Sequence, residues 1–447
     1  MIALLAPTGG GSPMNLKKSI AVLSLALVLA CGGGGGNNSS GGPQVGALSK
    51  KVEVTFWHAL SGNLQTGLQA LTDQYNSSQD KVHVTLVAKG AYSDLRQAVL
   101  TSLAAGSPPD MAQCIENHAT KYQQSNALAD LTPYINAADG LSSADKSDIF
   151  PVMLNDAKVA GKYYTFPLNK STTVLYYNQD MFTAAGISSP PATWEDFFTD
   201  AHKLAQPANG VVGAEAPPID TWISMLYEYG GKLYDSTSSP KKAAFNDATG
   251  VKITKLWQDA IKAGDARPVG SAAFADQVDF QNAKTAMYIS TQVSYQFIVK
   301  PIGTKFKFAE APLPAGSSGT KDEMFGANVC MFSKSSQDVQ HGAFLYVKYL
   351  TNQENTTTWA KTTSYLPLRQ SALKTLQGDF YSTNPSQGVG AGMLTKGQLF
   401  VVPFTATFDD QRTDMSTELN NVWLLTKDPK AALDSAANKV NDILTTG

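Results

Sequence analysis

Residues 52–57 read VEVTFW, an alternation of side chains that predicts a β-strand. A helix follows from about 63 to 75, where apolar residues recur every three or four positions, and VHVTLV at 82–87 predicts a second strand. A second helix from about 93 to 105 and a short apolar strand at 111–115 complete the pattern. This order is typical of a parallel sheet covered by helices, so we expect an α/β fold.

The same alternation continues towards the C-terminus. Thr193 is placed as the N-cap of a helix that begins TWED, and prolines and glycines at 312–319 indicate a crossing or a loop. No internal repeat is present. Further strands are predicted at 173–177 and 286–289, and further helices at 222–229, 249–263, 272–282, 344–350 and 429–444.

Composition limits the possible classes of protein. The 447 residues exceed what one hydrophobic core usually organises and are enough for two lobes. There are 35 Lys and Arg against 37 Asp and Glu, a formal net charge of −2. Without an excess of basic residues, nucleic acid is not an expected partner.

The N-terminus has the pattern of an export signal. A basic start at 14–18 precedes an apolar run at 20–30, which is too short to span a bilayer, and then Cys31. VLAC at 28–31 resembles the bacterial lipobox, in which the cysteine receives lipid and becomes the mature N-terminus. We therefore expect a lipoprotein signal peptide over 1–31, starting at Met1 or Met14. An ordinary secretory signal with an incidental cysteine is the alternative.

The following residues, 32–50, have the glycine-rich composition of a flexible tether. They would hold the protein in the periplasm or cell envelope, anchored to a membrane through Cys31 alone. Two more cysteines, Cys114 and Cys330, lie in apolar surroundings. We expect two buried thiols there, with a single disulfide as the alternative.

An ordered set of short motifs carries a resemblance to a known family. From residue 52 to the C-terminus, the chain resembles the extracellular solute-binding proteins that feed ABC importers, a group that includes maltose- and glycerol-3-phosphate-binding proteins. The motifs are FWH at 56–58, AGSPPD at 105–110, LYYNQDMF at 175–182, PATWED at 191–196, SYLP at 364–367 and VW at 422–423.

The resemblance implies a two-lobe, periplasmic-binding-protein-like α/β fold. Its lobes are discontinuous in sequence, are joined by hinge crossings and close over a ligand cleft. On this basis lobe 1 comprises 51–175 and 312–355, and lobe 2 comprises 176–311 and 356–447.

The chain is most similar to the glycerol-3-phosphate branch of this group. The branch places ligand contacts at positions that are here Tyr92, Glu116, Ser171, Trp222, Thr291, Gly326, Tyr365 and Arg412. Thr291 replaces a serine and keeps the hydroxyl. Ile219 stands where the branch can carry a second tryptophan. The pocket wall near the glycerol moiety is therefore expected to differ, and a different or larger headgroup could fit.

The resemblance also implies a role for each residue. Arg412 would bind two phosphate oxygens at once. The hydroxyls of Ser171 and Thr291 and the backbone N–H near Gly326 would donate to the remaining phosphate lone pairs. The phenols of Tyr92 and Tyr365 would both donate and accept. Glu116 would accept from glycerol hydroxyls, and Trp222 would offer a flat apolar face. By residue type alone, Arg412 could instead belong to a surface ion pair, and Trp222 to the core.

Together these features predict a monomeric, lipid-anchored binding protein of an ABC importer. It would capture sn-glycerol 3-phosphate or a glycerophosphodiester and deliver it to the transmembrane permease subunits. A neutral oligosaccharide is the alternative ligand. A glycoside hydrolase is the alternative of another class, but the sequence contains no G-x-S-x-G, H-E-x-x-H or P-loop motif. We therefore expect no catalysis, no cofactor and no metal.

Overall fold

The computed structural model describes residues 45–48, 50–159, 161–403 and 405–446. The predicted signal peptide, the lipidation of Cys31 and most of the predicted tether lie outside these residues.

The strands form one large mixed sheet and a small hairpin. In chain order they are β1 (Val52–His58), β2 (Val82–Ala88), β3 (Met111–Cys114), β4 (Lys158–Val159), β5 (Lys162–Tyr163), β6 (Thr165–Asn178), β7 (Val212–Glu215), β8 (Ala266–Arg267), β9 (Thr285–Thr291), β10 (Phe308–Ala311), β11 (Asp322–Met331) and β12 (Leu399–Phe400).

The helices cover both ends of the large sheet. They are α1 (Gly62–Ser78), α2 (Tyr92–Ala104), α3 (Glu116–Gln124), α4 (Thr132–Ile135), α5 (Ser143–Asp148), α6 (Pro151–Asp156), α7 (Gln179–Ala184), α8 (Trp194–Leu204), α9 (Ile219–Glu228), α10 (Ala248–Ala263), α11 (Ala275–Gln281), α12 (Tyr295–Ile302), α13 (Gln337–Leu350), α14 (Gln353–Thr363), α15 (Gln370–Gly378), α16 (Phe380–Thr383), α17 (Val389–Thr395), α18 (Phe408–Trp423) and α19 (Pro429–Thr446). Among them, no helix combines the length and apolarity that crossing a bilayer requires.

These bounds confirm the predicted strand–helix–strand–helix–strand unit. β1 pairs in parallel with β2 and with β3, as expected for strands joined by crossover helices. Thr193 caps α8 as predicted, because its side chain accepts from the backbone N–H of Asp196 while the Asp196 carboxylate accepts from the N–H of Thr193.

Two long strands carry the chain between the two ends of the sheet. The strand order is β2-β1-β3-β11-β6-β9-β7-β8, so β11 and β6 occupy the centre. β11 pairs antiparallel with β3 on one side and with β6 on the other, and the second half of β6 pairs with β9. These central strands are the crossings between two lobes.

Each lobe has its own hydrophobic core. The first is built mainly from residues 45–168 and 324–394, and the second from 175–289 and 402–440. Trp359, Leu373 and Leu394 belong to the first core. The predicted assignment of 356–447 to lobe 2 therefore does not match the packing of 356–395, which adds helices to lobe 1.

The two buried cysteines form a disulfide, which corrects the prediction of free thiols. Cys114 on β3 and Cys330 on β11 are fully buried, and their Cα atoms lie 5.9 Å apart. The antiparallel register pairs Cys330 with Ala112 and Cys114 with Asn328, which brings the two sulfurs together diagonally. A pairing between residues 216 positions apart depends on this register, and local composition does not reveal it.

Candidate functional site

A cavity of about 720 Å³ lies between the lobes, within the usual size range of small-molecule sites. Leu64 and Tyr92 line it from lobe 1, Phe297 lines it from lobe 2, and Phe325 lines it from the crossing strand β11. Five of the eight predicted site residues line this inter-lobe cavity: Tyr92, Ser171, Thr291, Gly326 and Tyr365.

Two hydroxyls meet at the wall formed by β6 and β9. Ser171 Oγ and Thr291 Oγ1 share a hydrogen bond of 2.6 Å. Thr291 Oγ1 also accepts from the backbone N–H of Val293 at 3.4 Å. Because each hydroxyl can both donate and accept, the pair keeps hydrogen-bonding capacity for a ligand.

Gly326 brings backbone close to the cavity at a position where a side chain would not fit. Its φ is +113°, and a Cβ there would lie 2.0 Å from the carbonyl oxygen of Asn169. The pairing of β11 with β6 shifts register immediately afterwards, between Ala327 and Asn328. Glycine is therefore required for this close approach of the two crossing strands.

Buried polar groups without partners surround the two tyrosines. The hydroxyl of Tyr92 and both amide atoms of Asn169 have no hydrogen-bond partner among the residues that the structure describes. The ring of Tyr365 stacks on Trp359, with centroids 6.1 Å apart and planes 5° apart. Burial raises the pKa of both phenols, so they stay protonated and can donate. A hydroxyl-rich ligand would satisfy these groups.

Glu116 begins α3, and it is already paired with a lysine. Lys170, which is fully buried on β6, donates to a carboxylate oxygen of Glu116 and to Gly326 O at 3.1 Å, and it forms an ion pair with Asp156 at 2.5 Å. Burial and the nearby Asp156 raise the pKa of Glu116 to about 8, although Lys170 opposes this. The Glu116 carboxyl is thus already bonded to Lys170 within the protein, and it is not among the residues that line the inter-lobe cavity.

Arg412 lies on α18 and is also paired. Its guanidinium donates to Asp220 at 2.6 Å, and its side chain is 32% exposed. It lines a groove of about 420 Å³ with Asp409 and Asn420, and it is not among the residues that line the inter-lobe cavity. Burial opposes its charge, but Asp220, Glu323 and Asp409 outweigh it and raise the pKa of Arg412. The predicted phosphate-binding group therefore already has a counter-ion.

The same helix reaches across to lobe 1. The Asp409 carboxylate accepts from Asn117 Nδ2 at 2.5 Å and lies 3.1 Å from His118 Nε2 and 3.3 Å from Arg96 Nε. Arg412 thus lies on the inter-lobe face, one turn beyond a direct contact between the lobes.

Trp222 lies elsewhere. It is fully buried in the core of lobe 2, its indole N–H donates to Thr254 Oγ1 at 3.0 Å, and its ring packs edge-on against Phe245. It is not a lining residue of the inter-lobe cavity. The structure therefore places it in the core, which is the alternative that residue type had left open.

The exposed aromatic surface of the cavity comes from residues that the sequence analysis did not select. Phe274 and Phe297 line the lobe 2 side, with 73% and 38% of their surfaces exposed. Phe325 lines it from β11. Phe274 lies within the helix predicted over 272–282, but the helix begins only at Ala275, so Phe274 precedes it instead of packing on its apolar face. In the part of the chain that the structure describes, no cluster of His, Cys, Asp and Glu could hold a metal ion.

Comparisons with known proteins agree with this architecture. The model of the bacterial extracellular solute-binding protein family matches residues 70–387. The sn-glycerol-3-phosphate-binding periplasmic protein UgpB of Pectobacterium atrosepticum is 28% identical over 413 residues, covering 88% of this chain and 91% of that protein.

Two solved structures share the fold. UgpB from Mycobacterium tuberculosis in complex with glycerophosphocholine superposes with a TM-score of 0.78 at 20% identity, covering 88% of this chain and 98% of that one. The cyclic α-maltosyl-1,6-maltose binding protein from Arthrobacter globiformis has a TM-score of 0.75 at 21% identity, covering 89% and 100%. The expected two-lobe α/β fold is confirmed.

Proposed function

The chain belongs to the bacterial extracellular solute-binding protein family, and from this we propose that its ligand is sn-glycerol 3-phosphate or a glycerophosphodiester. Proteins of this class are not enzymes. They bind small molecules outside the cytoplasm and deliver them to the permease of an ABC importer. The proposal rests on the convergence of five predicted contact residues on one inter-lobe cavity. The similarity to the UgpB proteins supports it.

The residues of the cavity suit an oxygen-rich ligand. The Ser171–Thr291 hydroxyl pair and the backbone at Gly326 would bind phosphate oxygens. Tyr92, Tyr365 and the unpartnered amide of Asn169 would bind hydroxyl groups. Glu116 and Arg412 do not line this cavity; Glu116 contacts Lys170, the neighbour of the cavity residue Ser171 on β6, and Arg412 contacts Asp220.

A neutral carbohydrate is the second candidate, and a specific observation favours it. None of the described residues that line the cavity is charged, and five of them are aromatic. Aromatic faces pack well against sugar rings, while a phosphate usually receives an arginine or lysine. The Arthrobacter neighbour is named for an oligosaccharide.

Calorimetry with sn-glycerol 3-phosphate, glycerophosphocholine and maltotriose tests the choice. We expect a phosphate ligand to bind, and Tyr92→Phe to weaken it about three- to tenfold through the lost hydrogen bond. Tyr349→Phe is the matched control, because its hydroxyl is also buried without a described partner but lies outside the cavity. If maltotriose bound and neither phosphate ligand did, the ligand would be a neutral carbohydrate and not a glycerol phosphate.

We also propose that the protein is a monomer anchored through lipid on Cys31. The support is the lipobox-like VLAC at 28–31. Wild-type protein from a bacterial membrane should partition into detergent, whereas Cys31→Ser should remain in the aqueous phase. Equal partitioning of both would contradict the anchor, and light scattering of the Cys31→Ser protein measures the oligomeric state.

A further inference from the structure

We infer that Asp220 is a specificity-determining residue that selects against doubly charged phosphate monoesters by occupying the guanidinium of Arg412. The inference rests on the proposed function and narrows it. A glycerophosphodiester, with one phosphate charge, is accepted more readily than sn-glycerol 3-phosphate, with two.

The first step concerns the cations near the inter-lobe cavity. Lys170 is fully buried and held by two carboxylates, those of Glu116 and Asp156. Arg96 faces Asp409. Lys89, which precedes the cavity residue Gly90, places its ammonium 3.7 Å from the centre of the Trp57 ring. Each of these cations already has a partner within the protein.

The second step concerns Arg412. Both oxygens of Asp220 lie 2.6 Å from its Nη2, and the two side chains are 20% and 32% exposed. A partly desolvated arginine–carboxylate pair is strong, and a phosphate must displace or share the carboxylate to reach the guanidinium. Asp220 therefore competes directly with an anionic ligand.

The third step concerns the position of the pair. Asp220 lies in the first turn of α9, and the backbone of Glu323 on β11 is tied to the same helix, because its N–H donates to Ser224 Oγ at 3.0 Å. Glu323 is three residues before Gly326, which lines the cavity. An anion that reaches Arg412 would therefore meet the Asp220 carboxylate beside the guanidinium, and a second negative charge on that anion would be repelled more than a first.

The test compares wild type with Asp220→Asn, which keeps the shape of the side chain and removes its charge. The wild type should bind sn-glycerol 3-phosphate at least tenfold more weakly than glycerophosphocholine. The variant should gain at least tenfold in affinity for sn-glycerol 3-phosphate and change less than threefold for glycerophosphocholine. A melting curve establishes that the variant is folded.

Two further variants show that Arg412 is responsible for the gain. Asp410→Asn removes the same charge from an exposed position on α18 and should change neither affinity. Adding Arg412→Gln to Asp220→Asn should abolish the gain. An Asp220→Ala variant answers the same question if the asparagine variant does not fold.

Equal wild-type affinity for the two phosphate ligands would overturn the inference, as would an Asp220→Asn variant without any gain. Failure of the proposed function looks different, because the wild type would then bind maltotriose and neither phosphate ligand. In that case, a gain of sn-glycerol 3-phosphate binding in Asp220→Asn would still support the role of Asp220.

Discussion

Trp222 and Phe274 are aromatic residues of the same lobe in opposite environments. Trp222 lies in the middle of α9, a helix buried on nearly all sides, and no part of it is exposed. Phe274 caps α11 with φ at +58° and is 73% exposed beside the cavity. A left-handed backbone at a bulky residue costs about 1–3 kcal/mol and is found most often at functional sites. We therefore assign the ligand-facing aromatic role to Phe274.

Phe274→Ala should weaken ligand binding about tenfold, because a bound ligand loses the apolar face that this ring would cover. The melting temperature of the empty protein should be nearly unchanged, since the ring has little to pack against. Calorimetry uses glycerophosphocholine or maltotriose, whichever binds the wild type more tightly. Leu424→Ala, at a 61% exposed position outside the cavity, is the control. Unchanged affinity would remove Phe274 from the site.

Trp222→Ala should lower the free energy of unfolding by about 3–5 kcal/mol, because it leaves a cavity in the core of lobe 2. Urea denaturation followed by circular dichroism measures this. Trp222→Phe keeps a ring but loses the hydrogen bond to Thr254 and should cost less. If the alanine variant were as stable as wild type but bound no ligand, Trp222 would be a ligand contact after all.

Among the secondary-structure elements, β11 connects lobe 1, the hinge and the inter-lobe cavity. It pairs with β3 in lobe 1, runs beside β6 through the hinge and carries Phe325 and Gly326 to the cavity. The Cys114–Cys330 disulfide ties its C-terminal end to β3. The covalent link holds the lobe 1 end of this crossing strand in place while its other end can follow lobe 2.

Replacing both cysteines by alanine should lower the free energy of unfolding by about 2–5 kcal/mol, the usual range for a native disulfide. Urea titrations with and without reductant measure the effect. Reductant should destabilise the wild type and leave the double variant unaffected. Identical curves for the wild type in both conditions would show that the bond does not form.

For the whole molecule, Asp409 provides a polar contact between the two lobes. Asn117, His118 and Arg96 converge on this carboxylate from lobe 1. Burial opposes ionisation, but His118, Asn117 and Arg96 outweigh it and hold the pKa of Asp409 below its ordinary value of 3.8. Because the pKa is lowered, the ionised Asp409 carboxylate stabilises this contact between the lobes at pH values above 3.8. The stabilisation is lost as the pH falls below that value and the carboxylate takes up a proton.

Asp409→Asn should shift the protein towards an open form and weaken ligand binding about tenfold, because charge-assisted hydrogen bonds across the lobes are lost. Small-angle scattering without ligand should show a larger radius of gyration at pH 7, and acidification below about 4 should have the same effect on the wild type. Asp410→Asn is the control on the same helix. Identical scattering curves for Asp409→Asn and wild type at pH 7 would contradict this role.

Local patterns predict the secondary-structure elements, whereas the cavity positions follow from the resemblance to a known family. The alternation in 52–57 and the helical spacing after it predicted β1 and α1, and the Thr193 cap was read from four consecutive residues. The motif positions brought Tyr92, Ser171 and Tyr365 to one cavity. Periodicity and capping depend on neighbours a few positions apart, so a single chain carries this information.

Only the folded structure shows which residues pair with each other across long distances in sequence. Lys170 meets Glu116 across 54 positions, Arg412 meets Asp220 across 192, and Cys114 meets Cys330 across 216. Each pairing depends on the register of the central strands or on the approach of the two lobes, which no local pattern encodes. The same long-range packing buries Trp222 and exposes Phe274, because burial is a property of the assembled core and not of the residue type.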